Sequence, residues 1–306
     1  MSDIFVKQTL FDRIINVKLF TVGAAAAALA SRGETVTLGN GQVAAVTNYV
    51  QCPPTGRKPT ISIRGRILPS PILSDIELRI TNLYTGDIPL DAFKYLKVEA
   101  GYAGNLQAAI EGEVVNAYQE TPGPDGVTVF SMLLGFFTNW SNVAGSKGWE
   151  KGTQINLILK DCAQLLGMTL KSFLPDSLVS QAAYSFTGLV SRFVSDLAQS
   201  LGVNIFPDGS VLKAYQKSGS TDKRYLVKYL VSPPRHEAYG YNMTALWEPG
   251  ARPGDILDLD TRFVRQSFGG AQVGQQQTSF IIQTITFGFS TTEDENSMNV
   301  IATAAS

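Results

Sequence analysis

The sequence predicts a mainly β protein with an α+β insertion, in which two small antiparallel β-barrels flank a compact α/β domain. Two observations carry this. Alternation of apolar and polar residues with period two runs through the first part of the chain and returns in its last part, as half-buried strands require. Between them, apolar residues recur at steps of three and four, the spacing of one helix face. The expected boundaries are 1–148 for the first barrel, 149–216 for the α/β domain and 217–306 for the second barrel.

Ile14–Leu19 opens the first region as a strand, and Glu34–Leu38 alternates before the turn Gly39-Asn40-Gly41. Thr60–Ile67 and Asp75–Ile80 alternate cleanly and are separated by Pro69 and Pro71, which have no place in an interior ladder. Tyr95–Tyr102 leads through Gly104 into Ala109–Tyr118. The polar tip Thr121–Gly126 then returns the chain into Val127–Leu133, with Asp125-Gly126 as a hairpin signal.

The period changes near Gly148. Ile155, Ile158, Leu159, Cys162, Leu165 and Leu166 mark one helix, with Thr153 as N-cap and Gly167 as its stop. Leu189, Phe193, Leu197 and Leu201, backed by Val190, Val194 and Ala198, mark a second, capped by Thr187 and ended by Gly202. Val203–Phe206 turns at Pro207-Asp208-Gly209 and returns as Val211–Tyr215. Gln216–Asp222 reads as a polar linker. Tyr225–Val231, Gly254–Leu259, Ser279–Phe289 and Ser297–Ala302 restore the β pattern, the last two joined by the polar tip Ser290–Asn296. This closing hairpin repeats the shape of the earlier one without residue identity. The end, Val300–Ser306, is expected to be clamped by neighbours, since free ends fray.

Composition narrows the function classes. With 25 basic and 26 acidic residues the net charge is −1, so nothing calls for a grip on nucleic acid or an anionic membrane. Only 17% of the residues are charged, against roughly 25% in an average soluble domain. A low charge with 44% apolar residues fits a surface covered by partners. Cys52 and Cys162 stand far apart with no CxxC, which argues against a disulfide framework or metal site and suits a reducing compartment. Phe20–Ala30 imitates a signal peptide ending Ala28-Leu29-Ala30, but it is mostly alanine and glycine. Asp3, Lys7, Asp12, Arg13 and Lys18 precede it, so a retained segment is expected. No stretch approaches the ~20 apolar residues of a spanning helix, and no membrane insertion is expected.

Chemistry is sparse. His236, in Ser232-Pro233-Pro234-Arg235-His236-Glu237, is the single histidine and is expected on a surface loop or interface, without a nucleophile or orienting carboxylate. Gly145-Ser146-Lys147-Gly148 lacks the spacing of a phosphate loop, and GxSxG, HExxH and EF-hand patterns are absent. Asp255, Asp258 and Asp260 form the densest carboxylate group, expected on a solvated or intersubunit face rather than around Ca²⁺, which needs six to eight oxygens. No two of the 26 acids are marked by position as a glycosidase pair. Asn139-Trp140-Ser141 and Asn242-Met243-Thr244 are formal glycosylation acceptors, without meaning unless the chain is secreted. Phe136 and Phe137 with Trp140, and Tyr239 with Tyr241, read as core or subunit contact. No catalytic, cofactor-binding or metal-binding residue is assigned, no cofactor is expected, and the chain is not expected to be an enzyme.

Three stretches carry a resemblance: Val98–Tyr102 followed by Ile110–Val114, Thr187–Tyr215, and Trp247–Leu257 around Pro253-Gly254-Asp255. In this order they resemble the baseplate hub proteins of contractile-tail phages and related contractile injection systems. The resemblance implies a homotrimer with two tube-like barrels per subunit. Such a pseudo-sixfold ring joins the sixfold tail tube to the threefold spike. It implies tail tube and spike proteins as partners, with tape-measure and baseplate wedge proteins as further ones. DNA would be passing cargo in the channel, and the site would be the virion tail baseplate, assembled in the host cytoplasm. The alternatives are another tail adaptor or spike-base protein, or a β-sandwich carbohydrate-binding or hydrolytic module.

Overall fold

The computed structural model describes residues 13–22, 35–38, 43–52, 60–70, 74–83, 89–102, 105–120, 126–221, 223–227, 229–237, 240–259, 278–291 and 296–305. The alternation of the first region becomes β1 (Arg13–Thr21), β2 (Thr35–Thr37), β3 (Val43–Cys52), β4 (Ile61–Ile67), β5 (Asp75–Thr81), β6 (Phe93–Tyr102), β7 (Asn105–Gln119) and β8 (Val127–Leu134). The pattern dictates the facing: along β5, Ile76, Leu78 and Ile80 are buried while the residues between them are not. β4 and β5 pair antiparallel with Ile61 opposite Ile80, so Pro69 falls in the connection and costs no ladder bond. The β7–β8 hairpin forms, closing with Gln119 opposite Thr128; its tip, 121–125, and Pro71 lie outside the described residues.

The last region supplies β14 (Arg224–Val227), β15 (Leu230–Glu237), β16 (Gly240–Leu246), β17 (Ile256–Leu259), β18 (Ser279–Ser290) and β19 (Asn296–Ala304). The run expected as one strand, Tyr225–Val231, is two. β14 pairs parallel with β17, whereas β15 pairs antiparallel with β16. The hydrogen-bonded order β14-β17-β18-β19-β16-β15 therefore begins and ends on consecutive strands. Only residues 228 and 229 separate them, a reach of roughly 10 Å. The chain itself brings the two ends of this six-stranded lobe together, and Leu246 N–H donates to the Tyr229 carbonyl at 3.2 Å, extending the β15–β16 ladder into the connection. β19 lies between β16 and β18, so the end of the chain is held by its own strands.

β18 joins the two regions. Its first half pairs with β17, its second half pairs with β4, and β19 runs along its other edge. The result is one curled sheet of fourteen strands, mainly β with a small helical content. One core fills it, with Ile15, Leu78 and Phe130 of the first region packed into the same cluster as Met243, Trp247, Phe280 and Val300 of the last.

Between them lies a helical unit: α1 (Phe137–Asn142), β9 (Ala144–Trp149), α2 (Ile155–Leu165), β10 (Thr169–Ser172), β11 (Tyr184–Leu189), α3 (Val190–Leu201), β12 (Val203–Asp208) and β13 (Val211–Gln216). β10, β13 and β12 form one small sheet, and β9 with β11 forms a separate ribbon. Gly167 and Gly202 end their helices at φ +68° and +63°, as expected of stops. The expected caps do not form. Thr153 Oγ1 donates to the Glu150 carbonyl, and Thr187 sits in β11 with its hydroxyl 3.0 Å from that of Ser146. On α3 the buried face is Val190, Val194, Leu197 and Ala198; Leu189 precedes the helix and is exposed. Leu165 of α2 also turns outward, because Leu166 and Cys162 hold the face.

The unit's core continues onto the back of the large sheet. Phe136 stacks on Tyr95 at 5.8 Å, and Phe20 meets Tyr95 edge-on at the same distance. β1 is thus covered on both faces, with Val17 and Leu19 in one core and Phe20 in the other. Phe136 and Trp140 are core residues, as expected; the Phe137 side chain lies outside the described residues.

Candidate functional site: a charged junction of three chain regions

The two residues after β12, Gly209 and Ser210, turn the chain into β13. Gly209 has φ +61°, which favours glycine, and a Cβ there would lie 2.3 Å from Glu111 Oε1 of β7 and displace that carboxylate. That same carboxylate accepts Ser210 N–H at 3.2 Å. At the foot of the turn Asp208 is nearly closed off from solvent, with Lys213 Nζ 2.5 Å from Oδ2 and Arg252 Nε 2.9 Å from Oδ1. Arg252 also donates from Nη1 to the Pro249 and Ala251 carbonyls, both at 2.9 Å.

The turn 249–255 folds around this arginine. Asp255 accepts Arg252 N–H at 3.0 Å and the Thr221 hydroxyl on its other oxygen. Gly254 adopts φ +90° against the Tyr215 ring, where a Cβ would come within 2.9 Å. Its N–H reaches the Ile282 carbonyl of β18 at 2.8 Å. Gln216–Asp222, expected as a plain linker, is therefore partly built into the junction through buried Thr221.

Electrostatics follow from burial and pairing. Burial opposes charge on Asp208, but Arg252 and Lys213 outweigh it, and the carboxyl is held far below its ordinary range. Burial likewise opposes charge on Arg252, and Asp208 reverses the effect. Asp255 behaves oppositely: burial raises it, only partly offset by the Thr221 hydroxyl. A second polar seat lies nearby. Glu113 Oε2 accepts both the N–H and the hydroxyl of Thr138, at 2.7 Å each, in the first turn of α1, where negative charge is favoured.

Of the three expected aspartates, Asp255 and Asp258 do not share a face. Asp255 is buried in the junction, Asp258 pairs with Arg224 at 3.0 Å and accepts from Ser279, and Asp260 lies outside the described residues. Among the described residues, no group of three or more His, Cys, Asp or Glu side chains is placed to hold a metal. His236 is not on a loop but in β15, exposed, with its ring 5.1 Å from that of Tyr241. An edge strand with irregular register tolerates Pro233 and Pro234 where an interior strand would not. Tyr241 packs on Phe280, and Tyr239 lies outside the described residues. Asn139 is buried and donates to the Leu166 carbonyl at 2.6 Å, and Asn242 donates to Glu237. Lys147 belongs to strand β9 and pairs with Asp161 at 2.9 Å. Cys162 is buried, its thiol pushed up to about 12 by burial; the Cys52 side chain lies outside the described ones.

A cavity of about 180 Å³ lies beside β14, lined among others by Tyr102, Tyr225, Tyr229 and Trp247. Burial pushes the Tyr102 phenol up to about 12, so it stays neutral at physiological pH. Trp247 lies flat on Phe287 at 4.7 Å and against Phe289 at 4.9 Å, on the wall where the two β regions meet. Asp208 and Arg252 are engaged with each other, so the junction positions chain regions rather than presenting a free reacting group.

The junction escapes sequence reading because the contacts that join its three chain regions are distant in sequence, 44 residues for Arg252–Asp208 and 99 for Ser210–Glu111. One signal was present: Arg252 and Asp255 flank Pro253-Gly254 in a chain poor in charge, which marks a turn with a reason for its charges.

No family model matches the chain, and no curated protein matches it. Solved structures do. One is an Escherichia coli component of the type VI secretion system, itself described as similar to the T4 bacteriophage tail proteins gp27 and gp5. It has a TM-score of 0.55 at 9% identity, covering 82% of this chain and 76% of that one. A second is a 43 kDa tail protein of prophage MuSo2 from Shewanella oneidensis, with TM-score 0.51, 9% identity and coverage of 82% and 99%. A third is the Francisella PdpA–VgrG complex, with TM-score 0.51, 8% identity and coverage of 96% of this chain and 58% of that one. At such identities the likeness is one of fold, and the fold is that of phage baseplate hub-like proteins.

Proposed function

We propose that this chain, with its hub-like fold, is a structural subunit of a contractile-type tail baseplate. In this reading it forms a homotrimeric hub that joins the sixfold tail tube to the threefold spike and surrounds the channel for DNA and tape-measure protein. The observation that carries the reading is the fold likeness to tail and type VI secretion proteins over most of the chain. The division into 1–148, 149–216 and 217–306 belongs to the proposal, with the outer two parts as the tube-like lobes that three copies would arrange in a pseudo-sixfold ring.

Supporting features are physical. Leu226 is 61% and Val231 63% exposed, on consecutive strands at the corner of the last lobe, where a neighbouring subunit would cover them. Net charge near zero suits a conduit that DNA passes without being held. The role needs no catalytic residue, metal or cofactor. A spike-base role is the second reading, supported by the VgrG complex likeness over 96% of this chain.

Electron microscopy of the protein, alone and with its tail tube and spike proteins, tests the proposal. A threefold ring with six lobes is expected. A chain that stays monomeric and ignores both partners defeats it; saturable binding in a glycan array would then favour a carbohydrate-binding module.

A further inference from the structure

The helical unit carries a strand edge that no strand among the described residues covers. β9 and β11 form a two-stranded antiparallel ribbon, a form that is marginal by itself. Val190 N–H donates to the Val143 carbonyl at 3.0 Å, and the register continues through Gly188–Gly145 and Phe186–Lys147. The alternation of an antiparallel ladder then turns the N–H and C=O groups of Ser185, Thr187 and Leu189 away from β9. Among the described residues no strand pairs with that side of β11.

A groove of about 430 Å³ runs along this edge, and its opposite wall is α3. Phe186 of β11 and Phe193 of α3 stack at 4.7 Å between the walls, backed by Trp149 at 5.4 Å from Phe193. A Cβ on Gly188 would meet nothing within 4 Å, so the groove is open there. Arg192 and Asp196, one helical turn apart, are exposed on the α3 wall and form no ion pair among the described residues. Side chains so placed stand about 5–6 Å apart. Residues two apart on one face of a strand are separated by about 6.8 Å, a close match.

We propose that this groove takes an extended segment of a partner protein as a third strand on β11. The segment would be an apolar run with an acidic and a basic residue two positions apart, meeting Arg192 and Asp196. Main-chain bonds to Ser185, Thr187 and Leu189 supply the attachment, and the charged pair fixes its direction. The inference concerns this edge alone and does not depend on the hub reading.

The probe is a labelled hexapeptide, acetyl-Val-Glu-Val-Lys-Val-Thr-amide, titrated against the full chain by fluorescence anisotropy. Saturable binding is expected. It should weaken by about tenfold or more for the charge-exchanged chain Arg192→Asp/Asp196→Arg, and recover when Glu and Lys are exchanged in the peptide. A peptide N-methylated at alternate bonds should not bind, because it cannot extend the ladder. Both substitutions are at exposed positions, and an unchanged melting curve confirms that the variant folds. Absence of saturation up to about 1 mM, the weak end of specific affinity, overturns the proposal. So does equal binding to both chains. Self-association that the same exchange abolishes would put a second copy in the groove and overturn it as well.

Discussion

Where the two β regions meet, β18 hydrogen-bonds to β4, Tyr102 of β6 meets Phe289 of β18 edge-on, and Trp247 belongs to the apolar core that both regions share. Where the helical unit meets the sheet, aromatic contact at Tyr95 and Phe136 is joined by charge: Asp208, Lys213 and Arg252 on one side of the turn, Glu111 on the other. The first joint combines main-chain ladder bonds with a shared apolar core, so neither β region can open without exposing the other. The second rests on charge: its ion pairs fix where the β12–β13 turn sits, and they hold only while both partners keep their charge.

Cutting the dry joint should cost most. Trp247→Ala should lower unfolding stability by about 4 kcal/mol, in one transition common to near-UV and far-UV signals. A loss below about 1 kcal/mol would mean that Trp247 contributes little to the core the two β regions share. Arg252→Ala should cost about 3 kcal/mol, because it leaves Asp208 buried with Lys213 alone. The joint reading fails if Arg252→Ala and an exposed control such as Arg64→Ala behave alike in urea. Gly209→Ala should cost about 1–2 kcal/mol from the left-handed backbone, with the Glu111 contact adding to it.

Acid should separate the joints further. The folded pKa of Asp208 lies below its ordinary value of 3.8, so its contribution is complete above that pH and is lost as pH falls through the folded value. Asp255 lies above 3.8 when folded, so it opposes folding at neutral pH and is relieved as pH falls. Asp208→Asn should therefore flatten the acid limb of a stability–pH curve, and Asp255→Asn should lower its rise toward mild acid. Identical curves for both variants and the parent would exclude the junction as the source.

The smallest effect is a rate. In a Cys52→Ser background Cys162, buried and with its thiol raised, should resist thiol reagents in the folded protein. Arg252→Ala should speed its labelling by loosening the helical unit, while Trp247→Ala should do so only in proportion to global unfolding. Equal acceleration by the two would merge the joints into one.

Much of this fold was legible in the sequence. β5 was legible from its alternation, β8 from the hairpin signal at Asp125-Gly126, and the helix stops at Gly167 and Gly202 from backbone chirality. Local reading failed where tertiary context decides. It joined β14 and β15, since nothing in Tyr225–Val231 announces that the chain changes partners at 228–229. It set His236 on a loop because Pro233-Pro234 excludes interior strands but not edges. It led the α3 face with Leu189, which lies before the helix, although Leu197 and the backing residues Val190, Val194 and Ala198 are the ones buried. The junction was out of reach because an ion pair between distant residues leaves no period.

β18 has a mechanical consequence. It is gripped along both edges for most of its twelve residues, by β17 and then β4 on one side and β19 on the other. A pull that drags one lobe past the other along this strand loads many ladder bonds together, in shear. A pull across it would peel them one by one. The molecule is therefore stiff along the axis of β18 and weak across it, and a particle that transmits thrust through this chain would gain most by aligning that strand with the load.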